Sequence, residues 1–295
     1  MEYQITLITI VSISVMAALS LNLITGFCGQ ISLGHAAFYG AGAYTSAMLT
    51  TTGIPFTASL VAAAGIAGFL GLIVGFASLR VRHDFLAITT MGVGFLFVGI
   101  IRQQDVLGGE MGIFGIPDPG FGKIGYMFFC LILAGITAAF SLYLKRTWMG
   151  YSFDAIADDE DTAKMIGIDV SRYKLAAFAM GTAIAGIAGG LYAHEVKYIG
   201  PDSFGFIESV TMLAIVVIGG IGSVPGVIVA AIALTMLPQW LQIIADYKLL
   251  LYGGLLFGFM RFSPGGLAAL TRKLMSVRTA NVEFEEVPGG RTPER

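Results

Sequence analysis

The sequence predicts an all-α, polytopic membrane helical bundle of about eight to ten spans, several of them short or broken. Three observations predict it. Asp, Glu, Lys and Arg make up 12% of the 295 residues, about half of the roughly 25% found in a soluble domain. Hydrophobic residues reach 56%, and the mean hydropathy is +0.81. They also fall in runs of spanning length, because a helix needs about 20 apolar residues to cross a hydrocarbon core about 30 Å thick. Lipid offers the backbone no hydrogen-bond partner, so such runs close as helices.

In order, the runs are 5–27, 36–52, 57–79, 85–102, 124–144, 174–193, 208–221, 225–245 and 248–262. No Lys or Arg precedes the first, and it is longer than the apolar core of a signal peptide, so it reads as a span. Placing 80–84, the loop 145–173 with Lys174 at its edge, and the tail from Arg261 on one side collects 13 of the 17 Lys and Arg. By the positive-inside rule that side is cytoplasmic. The amino terminus is then outside and the carboxyl terminus inside. Residues 1–278 form the membrane domain. Residues 279–295, polar and without apolar periodicity, read as a disordered cytoplasmic tail. Its acids Glu283, Glu285 and Glu286 suit either a solvated tail or a partner contact.

Several chemistries are excluded. The net charge of −2 gives no basic stripe for nucleic acid. There is no phosphate-binding G-x-x-x-x-G-K-[ST] loop, and His194-Glu195 lacks the second histidine of a zinc-protease helix. His35, His83 and His194 fall in different loops and form no metal-ligand set; Cys28 and Cys130 read as buried apolar residues. No charged residue lies in the middle of a span, which argues against a proton-coupled carrier. No cofactor is expected on this chain.

Three segments carry information. Around Gly26–Tyr44, the polar Asn22, Gln30, Ser32 and His35 follow one hydrophobic helix and precede a glycine-rich one. Two readings stand: a cytoplasmic turn, or a helix break facing a substrate cavity. The second segment, Ile218–Gly226, combines Gly219, Gly220, Gly222 and Ser223 with Pro225. Its break leaves 208–221 only about 14 residues, near 21 Å, too short to cross alone. Short segments interrupted by Gly or Pro point to a transporter's central site, although a plain loop also fits. In the third segment, Lys145–Lys174, residues 152–166 read as one helix stopped by Gly167. Phe153, Ile156, Ala163 and Ile166 form its apolar face, and Asp158-Asp159-Glu160-Asp161 interrupts with a polar turn. Four acids oppose an anionic membrane surface, leaving a self-packed helix or a partner's groove.

Together these segments resemble the LivM type of permease from branched-chain amino-acid ATP-binding-cassette importers. The stretch from Asn22 to Tyr44 is close to that family's amino-terminal signature, and Ala155–Leu175 resembles its cytoplasmic loop. Gly219-Gly-Ile-Gly-Ser223 and Tyr252…Arg261-Phe-Ser-Pro-Gly-Gly-Leu267 match later motifs, so the resemblance spans about residues 15–267. It implies a bacterial-type inner-membrane transporter subunit, not itself an enzyme. Its partners would be a second, LivH-type permease, two cytoplasmic subunits that bind the ATP, and an extracytoplasmic substrate-binding protein.

The resemblance also implies roles. Asp161-Thr162-Ala163-x-x-x-Gly167 resembles the Glu-Ala-Ala-x-x-x-Gly element that docks importer permeases on their ATPases, with Asp for Glu and Thr for Ala. The breaks at Gln30–His35, including Gly34, and at Gly219–Gly226 would line the route, with Phe38 and Tyr44 as gate or wall residues. Importers of urea and other small amides are relatives within the same class. A sodium-coupled secondary carrier is the alternative from outside it, since such sites need no intramembrane carboxylate.

Overall fold

The computed structural model describes residues 2–79 and 83–240, together with 253–254, 257–258, 261 and 266–267. The described residues are helical almost throughout. Its helices are α1 (Glu2–Leu21), α2 (His35–Thr51), α3 (Phe56–Ser78), α4 (His83–Gln103), α5 (Gly122–Lys145), α6 (Trp148–Asp158), α7 (Glu160–Met165), α8 (Val170–Val196), α9 (Phe206–Gly219) and α10 (Val224–Trp240). Each of the first eight apolar runs is helical over almost all its described residues, the eighth as far as Trp240. Among the described residues six segments are long and apolar enough to cross a membrane, while α2 and α10 are shorter. The run 248–262 lies largely outside the described residues, and the tail 279–295 entirely so.

α8 sits at the centre, against α1, α2 and α3. Its small residues let backbones close up. A Cβ on Gly189 would stand 1.8 Å from the Tyr39 carbonyl oxygen, and one on Gly42 would stand 2.1 Å from that of Gly186. Association inside lipid gains little from burying apolar groups, so close backbone approach of this kind supplies the packing. The outward faces of α3, α4 and α5 carry the large apolar side chains instead, with Phe69, Leu96 and Ile132 among those exposed. Hydroxyls within the helices bond back to the preceding turn, as Thr182 does to the Phe178 carbonyl at 2.7 Å.

At the amino-terminal end of α1 the connections are tied together. Ile113–Phe114 pairs antiparallel with Tyr198–Ile199, linking the α4–α5 and α8–α9 connections. Phe114 stacks on Tyr198 at 4.5 Å, and Arg102 meets Asp202.

The loop after α5 departs from the sequence reading. One helix over 152–166 was expected; the structure holds two, α6 and α7, separated by Asp159 in an extended conformation (φ −161°, ψ 117°). The cause is local. The Asp159 carboxylate accepts the Thr162 amide at 2.6 Å, an N-cap that competes with continuing the helix. Gly167, at φ +87°, ends α7 in the left-handed conformation that glycine adopts without steric cost.

Candidate functional site

Both suspected breaks exist, and they meet. The last turns of the first span widen into a π-helix, Asn22–Phe27, and 28–34 then folds back into the bundle. His35 Nε2 lies 2.8 Å from Ser20 Oγ, so α2 begins beside the last turn of α1, with the π-helical turns Asn22–Phe27 still to follow in the same span. A helix start at that depth exposes backbone N–H groups that lipid would leave unpaired. Two hydroxyls from other helices answer them: Thr90 accepts the Leu33 amide and Ser209 the Ala36 amide, each at 3.0 Å.

The second break, between α9 and α10, is held to the first. The Gly222 amide donates to Asn22 Oδ1 at 3.0 Å. Gly222 has φ +78°, a conformation that a side chain strains. Gly26 lies between them: a Cβ there would stand 2.0 Å from Asn22 Oδ1 and 2.6 Å from the Gly222 nitrogen. Ser223 Oγ accepts the Gly226 amide at 3.3 Å, capping α10. Pro225 occupies the first turn of α10, where a missing N–H breaks no helical bond.

The other sequence-selected residues divide. Asn22, Gln30, Ser32, His35, Phe38 and Tyr44 are all buried. Phe38 packs edge-on to His35 at 6.1 Å, whereas Tyr44 lies apart from them, against Phe97 and Phe204. Gly34 and Gly219 are packing residues: a Cβ on Gly34 would stand 1.8 Å from the Thr90 carbonyl oxygen, and one on Gly219 would stand 2.6 Å from Val227 Cα. Gly220 has φ +102°. Among the described residues, Asn22 Nδ2, Gln30 Oε1, Ser32 Oγ, His35 Nδ1 and the Tyr44 hydroxyl are buried without a hydrogen-bond partner. Leaving such a group unpaired costs about 1–3 kcal/mol, so the four between Asn22 and His35, along one broken segment, mark it as unusual.

The α6–α7 pair presents a different surface from the one the apolar period suggested. Phe153, Ile156 and Ala163 are fully buried inside the protein. Ile166 points outward, with Trp148, Tyr151 and Met165, all exposed. The acidic run also splits. Asp158, Asp159, Asp161 and Thr162 are exposed, but Glu160 turns inward to pair with the buried Lys174. Accepting the Thr162 amide holds the exposed Asp159 carboxyl below the usual aspartate range. Burial raises the Asp154 carboxyl, and Lys145 beside it partly opposes the rise.

Sequence reasoning missed Ser20, Thr90 and Ser209, because a lone hydroxyl in an apolar run gives no sign of which backbone it serves. It also missed Lys145, which the loop's charge count absorbed. A cavity of about 610 Å³ at the far end of the bundle, by the start of α1, is lined by Thr6, Asp118, Lys123, Glu195 and Lys197 among others and holds none of the break residues.

The comparisons agree in one direction. The chain matches the family described as "Branched-chain amino acid transport system / permease component" over residues 3–260. It is 31% identical to the high-affinity branched-chain amino acid transport system permease protein LivM of Salmonella typhimurium, over 96% of this chain and 74% of that protein. Identity to LivM of Escherichia coli is 32%, over 94% and 73%. The LivH permease of Salmonella typhimurium is 26% identical over 77% of this chain and 81% of its own length. No solved structure matches the chain. This multi-pass membrane protein therefore belongs to the family of permease components of branched-chain amino acid transport systems.

Proposed function

We propose that the chain is the membrane-spanning subunit of an ATP-binding-cassette importer for branched-chain, hydrophobic amino acids. The observation that carries this reading is the match to LivM along nearly the whole chain. A second permease of the LivH type would complete the route, two cytoplasmic ATPases would drive it, and an extracytoplasmic protein would deliver the substrate. The amino terminus is outside and the α6–α7 loop cytoplasmic, supported by the positive charges gathered at that end.

Within the chain, the touching breaks are the moving part of the route. The buried atoms Asn22 Nδ2, Gln30 Oε1, Ser32 Oγ and His35 Nδ1, which find no hydrogen-bond partner among the described residues, suit a zwitterion that must be passed on rather than held. Phe38 and Tyr44 wall the route. ATPase docking falls to the exposed face of α6–α7: the carboxylates Asp158, Asp159 and Asp161 with Thr162 and Gly167, around the apolar Trp148, Tyr151, Met165 and Ile166. Phe153, Ile156 and Ala163 support that face from beneath.

The test is uptake of radiolabelled leucine in vesicles, with and without this subunit, alongside co-purification of the ATPases. Uptake that needs ATP, this chain and the binding protein is the expected result. Movement driven by an ion gradient through this chain alone would overturn the reading. Replacing Asp158, Asp159 and Asp161 with Lys should abolish uptake while leaving the chain in the membrane; unchanged uptake would remove the docking assignment.

A further inference from the structure

We infer that Lys145 is the positioning residue that ties the cytoplasmic helix pair to the α9–α10 break, so that displacement of α6 is transmitted to Gly222. The inference rests on the proposed importer reading. It adds the identity of the connecting side chain.

Lys145 is the last residue of α5, two residues before the Thr147 that precedes α6. Its Nζ donates to the Gly222 carbonyl oxygen at 2.5 Å, and the same ammonium lies 5.4 Å from the centre of the Phe27 ring. Phe27 ends the π-helical turn of the first break, and Gly222 sits within the second. One cation therefore touches both interruptions while anchored at the root of α6.

The surroundings make that anchorage tight. A Cβ on Gly150 would stand 2.8 Å from Lys145 Cα, so the start of α6 is packed directly on the lysine's own backbone. From the other side, a Cβ on Gly29 would stand 3.1 Å from Ala157 Cα, so the first break rests on the last turn of α6. Asp154 on α6 feels the lysine's charge. A rigid movement of α6 must carry Lys145 with it or break the packing at Gly150.

The chemistry suits a link that bears load and then releases. A hydrogen bond from an ammonium is about twice as strong as one between neutral groups, and an aromatic face adds a cation–π attraction. The acceptor is the carbonyl of a glycine at φ +78°, in backbone outside both α9 and α10. That peptide can rotate without unwinding a helix, whereas a carbonyl inside a helix could not.

The experiment uses the reconstituted importer with Lys145→Met and Lys145→Arg variants. Methionine keeps an unbranched apolar stem of similar reach and removes the charge; arginine keeps the cation. Three quantities are read: leucine transported per ATP hydrolysed, co-purification of the ATPases, and hydrogen exchange over residues 219–226. For Lys145→Met the expected result is about a tenfold fall in leucine moved per ATP, the factor carried by one charge-assisted hydrogen bond. Assembly should be unchanged and exchange faster over 219–226, and Lys145→Arg should restore coupling. A methionine variant that couples like the wild type overturns the inference. So does one that loses uptake and hydrolysis in equal proportion, which loss of folded protein alone would produce, or an arginine variant that fails to restore coupling. If the wild-type complex moves no leucine, the importer reading fails instead, while the exchange measurement still tests the link.

Discussion

The amide of Gly222 donates to the side-chain oxygen of Asn22 at 3.0 Å, joining positions 200 residues apart and holding two helix interruptions in contact. Both groups are buried, so no solvent replaces the bond if it is lost. Asn22→Leu should lower stability by about 1–3 kcal/mol, the cost of an orphaned buried donor. Thermal unfolding of the purified chain in detergent checks this, and an unchanged midpoint would mean that the two breaks are held together by something else.

Helix packing through α8 makes a sharper distinction. Gly189→Ala places a methyl 1.8 Å from the Tyr39 carbonyl oxygen, whereas a Cβ on Gly92 meets nothing within 4 Å. The first should destabilise by about 1–3 kcal/mol through overpacking. The second should be neutral or stabilising by up to about 1 kcal/mol, because alanine favours helix over glycine. Equal effects in the same unfolding assay would contradict the packing described.

On α6–α7 the buried and exposed apolar residues should separate folding from partner binding. Phe153→Ala empties a fully buried site and should cost about 3–5 kcal/mol. Met165→Asp and Ile166→Asp alter exposed positions and should leave the unfolding midpoint within the equivalent of about 0.5 kcal/mol. They should sharply reduce co-purification of the ATPases. Retention of the ATPases by both variants would move the docking surface elsewhere.

The Asp159 cap gives a pH dependence with a definite sign. Its carboxyl is held below the usual aspartate range by the Thr162 amide. A lowered folded value means that the cap's contribution is present above the ordinary aspartate range and is lost as pH falls through the lowered one. Hydrogen exchange at Thr162, corrected for intrinsic rate, should therefore accelerate only on acidification below that range. Asp159→Asn, which keeps an acceptor, should remove the pH dependence while preserving most of the protection. A pH-independent wild type would show that the cap carries no charge-dependent stability.

Much of the fold was legible in residue order because its causes are local. Runs of about 20 apolar residues can only be helices in lipid, and Gly219–Pro225 interrupts a helix wherever it is placed. Asp158–Asp161 read only as a polar turn within one helix over 152–166, because the break at Asp159 depends on its carboxylate reaching the Thr162 amide. The apolar period there identified the buried face through Phe153, Ile156 and Ala163 but misplaced Ile166, which lies beyond the cap and points outward. A period describes one helix, and two helices do not share it.

By itself, then, the sequence determined the membrane class, the first eight apolar helical segments, the positions of both breaks and, through long motifs, the family. Those properties follow from hydropathy, from glycine and proline, and from runs of consecutive residues. Only the tertiary structure decided that the breaks touch, that Thr90 and Ser209 answer the amides at the buried start of α2, and that Lys145 reaches Gly222. Each of these is a contact between groups 57 to 200 residues apart. Its partner is a backbone amide or carbonyl, which every residue type carries, so no pattern of side chains along the chain could have marked it in advance.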